Sequence, residues 1–156
     1  MNAITHDKPG IKCTRHFPFI FGKATSRITM YKRADARDRL ERMGFYVGTL
    51  LHEMIHAFLG PWGCAFPDCQ KSWETMGKTG HGCVWQDIAL ALETAARDPN
   101  LLDLDVALNR DFALASELRK DGRRASREVC HGWDISCTKV ERILRKHSDR
   151  MKRLLG

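Results

Sequence analysis

The sequence predicts an α+β domain, mainly helical, with a small β-sheet beside one long helix. Three observations carry that expectation. Leu40, Met43, Val47, Leu51, Met54 and Phe58 recur at three- and four-residue steps, the spacing of one helix face. Three further stretches, 84–97, 102–120 and 138–155, repeat a helical pattern. Strand-like alternation is confined to a short segment at 27–32. At 156 residues the chain is the size of one domain and can bury a core without disulfides. The whole of 1–156 is therefore read as a single domain.

Residues 1–25 carry a turn signal at Pro9-Gly10 and an apolar Phe17-Pro18-Phe19-Ile20-Phe21 cluster with room for a short strand. In 27–32, Ile28, Met30 and Lys32 fall on one side and Thr29 and Tyr31 on the other. The long helix is expected over 36–59, with Gly60-Pro61 as its stop. The stretch 60–82 is rich in Gly, Cys, Pro and Trp and has no period; loops of that length are often functional or organised by a ligand. The helix over 84–97 should bury Trp85, Ile88, Ala89 and Leu92 and end before Pro99. The next, over 102–120, breaks at Asp121-Gly122. The last, over 138–155, is basic and amphipathic, with Val140, Ile143, Leu144, His147, Met151 and Leu154 on its apolar side.

Charge is distributed unevenly. Residues 1–109 hold 13 Lys/Arg against 12 Asp/Glu, a net of +1, whereas 110–156 hold 13 against 7, a net of +6. A basic end on a near-neutral body fits either a solvated helix face or a surface for an anionic partner, commonly nucleic acid. No stretch approaches the roughly 18 uninterrupted apolar residues of a membrane span. The polar start through Ile11, with Asp7 and Pro9, lacks the apolar core of a secretory signal. An intracellular protein is expected on that ground, unless a signal has been removed. Six cysteines (Cys13, Cys64, Cys69, Cys83, Cys130 and Cys137) contain no CxxC pair, and reduced thiols fit that compartment better than three bridges.

The chemistry lies in Leu51-His52-Glu53-Met54-Ile55-His56-Ala57, which contains HExxH. Histidines four residues apart stand roughly 40° apart around a helix axis, so both imidazoles can reach one tetrahedral zinc. The glutamate between them is placed to take a proton from water activated by such an ion. A catalytic zinc site normally has three protein ligands and one open position. A metzincin would need histidine at position 62, where this chain has Trp62. Glu74 and Glu93 are candidates for the third ligand. His81 is the better one, because Gly80 and Gly82 let the backbone bring it close to a metal. His6, His16, His131 and His147 have no ligand spacing.

These residues resemble the SprT-like metalloprotease family, which includes the Spartan proteases. The resemblance rests on Thr49 to Ala57 around HExxH, on Gly80-His81-Gly82-x-x-Trp85 opening a helix, and on the strand ahead of the motif. It covers about residues 26–96, and 103–156 form a basic helical extension. It implies a zincin-like fold, one catalytic zinc ion held by His52, His56 and His81, and Glu53 as general base. It also implies a protein or peptide substrate and, for some members, action on proteins crosslinked to DNA in the nucleus. Only about 25 residues precede the strand here, so either the sheet is reduced or the amino end is incomplete. The family's C-terminal zinc ribbon is missing. Lys139, Arg142, Arg145, Lys146, Arg150, Lys152 and Arg153 stand as the candidate DNA-contacting surface, and Tyr31 and Trp85 as candidate cleft residues. Two rival readings are a non-catalytic zinc- or DNA-binding module of the same fold and a secreted general metallopeptidase stapled by disulfides. Oligomeric state is not encoded in any of these features.

Overall fold

The computed structural model describes residues 11–16, 25–30, 38–62 and 75–155, with side chains over 27–30, 38–60 and 75–154. The Phe17–Phe21 cluster, Tyr31, Cys64, Cys69 and Glu74 lie outside the described residues. Two strands, β1 (Ile11–His16) and β2 (Thr25–Met30), are followed by five helices. These are α1 (Arg39–Trp62), α2 (Cys83–Arg97), α3 (Arg110–Asp121), α4 (Arg127–Gly132) and α5 (Cys137–Leu155). The molecule is mainly helical. Its β structure among the described residues is a single antiparallel pair, with Ile11 opposite Met30 and His16 opposite Thr25. The described residues fall into two compact units, one drawn from 1–69 and 91–108, the other from 70–90 and 109–156.

In the first unit the β-pair lies against α1. Asp38 starts that helix, its carboxylate accepting the Glu41 N–H at 2.7 Å as an N-cap does. The expected stop at Gly60-Pro61 does not hold, for α1 runs through both to Trp62. Proline's fixed φ suits a helix, and in a last turn its missing N–H forfeits only one bond. The buried face also differs from the expected one. Leu40, Met43, Met54 and Phe58 of the apolar stripe are exposed, while Gly48, Ile55, His56 and Leu59 are buried. The inward line is 48–52–55–59, one residue on from 47–51–54–58, which is a rotation of about 100°. Glycine at 48 allows this rotation, since α1 there runs so close to the Ala107 carbonyl that a Cβ would stand 2.5 Å from its oxygen.

The segment leading to α3 corrects a second expectation. The helix read over 102–120 begins only at Arg110, and 103–109 is irregular. Leu104 N–H donates to Ala96 O at 2.8 Å, and from Val106 to Arg110 buried and exposed residues alternate. Alternation of that kind belongs to extended chain, not helix. Asn109, left-handed at φ 57°, then turns the chain into α3; asparagine tolerates that conformation better than most residues.

The second unit is built on α3, α4 and α5. Leu114, Ala115, Leu118, Cys130 and Val140 form its core, with Val129, Trp133, Ile135, Ile143 and Leu144 packed against it. Gly122, at φ 67°, ends α3, and the Arg123 N–H returns to Leu118 O at 2.8 Å. Ser126 then caps α4 by accepting the Val129 N–H, a short helix not anticipated from the sequence. On α5 the apolar side holds through Val140, Ile143, Leu144 and His147, but Met151 and Leu154 are exposed where the helix runs past the core. Cys83, Cys130 and Cys137 are free thiols. No described helix is long and apolar enough to cross a membrane.

Candidate metal centre

His52 and His56 lie on the inward face of α1, with ring centroids 5.1 Å apart. His56 is buried and His52 half-buried. The Nδ1 of His52 is 2.9 Å from the Leu108 carbonyl oxygen. A carbonyl only accepts, so this contact places the proton on Nδ1 and leaves Nε2 as the lone-pair nitrogen. Leu108 is itself held, its buried N–H donating to Glu93 Oε1 at 2.8 Å. The extended 104–108 segment therefore carries the group that orients the first histidine. Glu93, a candidate ligand by sequence, gives its carboxylate to this backbone instead.

His81 is positioned by its own loop. Gly77 and Gly80 take φ 77° and 79°, conformations that side chains disfavour. At Gly82 a Cβ would stand 2.4 Å from Thr75 O, so the chain there passes against itself. Two residues later α2 has begun, with Gln86 N–H bonded to Gly82 O at 3.0 Å. His81 is buried, and its ring meets the fully buried Trp85 edge-on at 4.9 Å. Trp85 supports the histidine as a core residue. Thr79 Oγ1 lies 2.9 Å from His81 Nδ1, and Thr79 N–H donates to the buried carboxylate of Glu117 at 2.9 Å. Neither Thr79 nor Glu117 was singled out from the sequence.

The candidate ligand atoms of His52, His56 and His81 all lie within 4.8 Å of one another. The three histidines thus form a triad that could bind a metal. Three imidazoles in a mostly buried setting suit a transition metal such as zinc, copper, iron or nickel, and not calcium or magnesium, which prefer all-oxygen sets. Glu53 stands half-buried between the two α1 histidines in sequence.

The other candidate residues are dispersed. Arg142, Arg145, Lys146, Arg150, Lys152 and Arg153 are exposed along α5. Lys139 pairs with Asp111 at 2.8 Å. Lys139, Arg142 and Lys146 line a shallow groove with Phe112 and Ile143. His147 has its pKa held below the ordinary value by burial, by Arg119 and by Arg150, in keeping with a packing role.

Comparison of the chain with protein-family models, with curated proteins and with solved structures finds no match.

Proposed function

We propose that this chain is a zinc metalloendopeptidase of the SprT-like, zincin type, with His52, His56 and His81 as ligands and Glu53 as general base. The convergence of the three histidines carries the reading, because two of them come from one helix turn and the third from a glycine-flanked loop 25 or more residues away. A zinc ion held there would supply a Lewis acid for the scissile carbonyl and acidify bound water. The protein's own part is then clear. Glu53, the acid inside HExxH, accepts a proton from the attacking water and returns one to the departing amine. Leu108 O keeps the His52 ring turned so that Nε2 is the available atom. Residues 27–30 of β2 offer a strand along which an extended substrate would lie, which favours unfolded segments over a fixed recognition sequence. The basic side of α5 extends the proposal to DNA-associated protein substrates, since its exposed arginines and lysines suit phosphate contacts.

The test joins metal content to proteolysis. The purified protein should carry about one zinc per chain, and Glu53→Gln should keep the zinc while casein hydrolysis falls by orders of magnitude. Wild-type rates in Glu53→Gln would remove the assigned base. Zinc retained with no hydrolysis by the wild type, with or without DNA, would favour the non-catalytic module.

A further inference from the structure

Glu117 is a buried carboxylate on α3. Its oxygens face the 77–81 loop. Oε1 accepts the Lys78 N–H, and Oε2 accepts the Thr79 N–H at 2.9 Å, the Thr79 hydroxyl and the His81 N–H at 3.3 Å. Gly77 makes room for it, since a Cβ there would stand 2.5 Å from the Glu117 carboxyl carbon. The loop is wrapped around this one side chain. Lys78 fastens it further to α3 through Asp121 at 3.1 Å.

The direction of these bonds decides the state of His81. A carboxylate facing three N–H groups and a hydroxyl acts as an acceptor. Thr79 has a single hydroxyl hydrogen, and that hydrogen goes to Glu117 Oε2. Toward His81 Nδ1, 2.9 Å away, the same oxygen has only lone pairs left to offer. In the neutral ring, His81 then carries its proton on Nδ1 and its lone pair on Nε2.

We infer that Glu117 is a positioning residue that, through Thr79, locks His81 into the Nδ1–H tautomer and so presents Nε2 to the metal. The inference rests on the proposed role of His81 as a ligand, but its claim about the tautomer is independent of bound metal. Groups that orient a ligating histidine in this way typically affect metal affinity by about 10- to 100-fold. Glu117 lies 36 residues from His81, outside both HExxH and GHGxxW.

Two readouts test it at one fixed pH. Long-range 15N–1H correlation spectra of the metal-free protein report which imidazole nitrogen of His81 is protonated. Competition with a chromophoric chelator reports zinc affinity. Thr79→Val keeps the backbone N–H to Glu117 and removes the hydroxyl; it should lose the Nδ1–H preference and bind zinc roughly 10- to 100-fold more weakly. Thr79→Ser restores the hydroxyl and should recover both. A retained Nδ1–H signal in Thr79→Val, or unchanged affinity, overturns the relay. If Thr79→Val does not fold, wild type and Thr79→Ser still decide, since an Nε2–H tautomer in either one overturns it. Failure of His81→Ala to reduce zinc binding would instead strike the proposed ligand set, while the wild-type spectrum judges the tautomer separately.

Discussion

Gly44 and Gly48 lie one turn apart in α1, and alanine at the two positions is expected to act in opposite directions. Glycine inside a helix costs roughly 0.5–1 kcal/mol relative to alanine, so both substitutions begin with the same gain. At Gly44 an added Cβ meets nothing within 4 Å, and the gain is kept. At Gly48 the Cβ would stand 2.5 Å from Ala107 O, 3.4 Å from the Ala107 carbonyl carbon and 3.6 Å from Val106 Cγ1. The closest of these is backbone, so no rotamer change relieves it, and the helix and the 106–108 segment must part. Overpacking of this kind costs about 1–3 kcal/mol, which outweighs the propensity gain. The two variants should differ by about 1–3 kcal/mol, a difference from which helix propensity cancels. Urea denaturation of the metal-free protein measures it directly. With a slope near 2 kcal/mol per M, the midpoints should separate by about 0.5–1.5 M, Gly44→Ala above wild type and Gly48→Ala below it. Ala107 also adjoins Leu108, whose carbonyl holds His52 at 2.9 Å, so Gly48→Ala should weaken zinc binding and Gly44→Ala should not. Equal midpoints, or Gly48→Ala more stable than wild type, would refute the packing argument.

Three other outcomes are expected. Glu93→Ala removes the carboxylate that accepts the buried Leu108 N–H, and should cost about 1–3 kcal/mol in urea titrations while lowering zinc affinity; unchanged values in both would detach Glu93 from the site. Burial, the hydrogen bond to Cys137 and the charges of Cys137 and Glu141 push the Cys130 thiol up to about 11. At neutral pH Cys130 should therefore react with a thiol reagent far more slowly than half-buried Cys83, and comparable rates in the folded protein would contradict that. Replacing Arg142, Arg145 and Lys146 together by alanine should reduce the slope of log DNA affinity against log salt by about 2–3; an unchanged slope would move any DNA site elsewhere.

Which features could be read from the sequence follows from the range of the interactions behind them. The two α1 histidines need only helix periodicity, a rule spanning four residues, to fall on one face. The buried face of the same helix departs from the hydropathy pattern for a related reason. Hydropathy counts Leu51, Met54 and Phe58 as core and counts His52 and Gly48 as neutral or polar. The inward face is the one that holds the imidazole pair and the close approach of Ala107, so the apolar stripe points one residue away from it. The 102–109 segment departs from the helical expectation, although the sequence carries a signal for extended chain there. Leu102, Leu104, Val106 and Leu108 alternate, an extended pattern that also contains helical spacings, and the buried positions at 106, 108 and 110 follow the alternation. Charge did locate a basic, exposed side on α5, because charge needs no tertiary information.

The groups that orient the histidines follow no such local rule. Leu108 is 56 residues from His52 and Glu117 is 36 from His81, and neither distance corresponds to any helical or strand repeat. Both carboxylates take backbone N–H groups: Glu93 accepts the N–H of Leu108, the residue whose carbonyl faces His52, and Glu117 gathers three N–H groups of the His81 loop together with the Thr79 hydroxyl. A peptide group is the same at every position, so the residue supplying it leaves no mark on composition or spacing. The two carboxylates are likewise indistinguishable in sequence from solvated acids on a helix. Their burial separates them, because a buried carboxylate is retained only where donors converge on it. Applied to both, that criterion places the residues controlling histidine orientation on α2 and α3, outside the helix that carries HExxH.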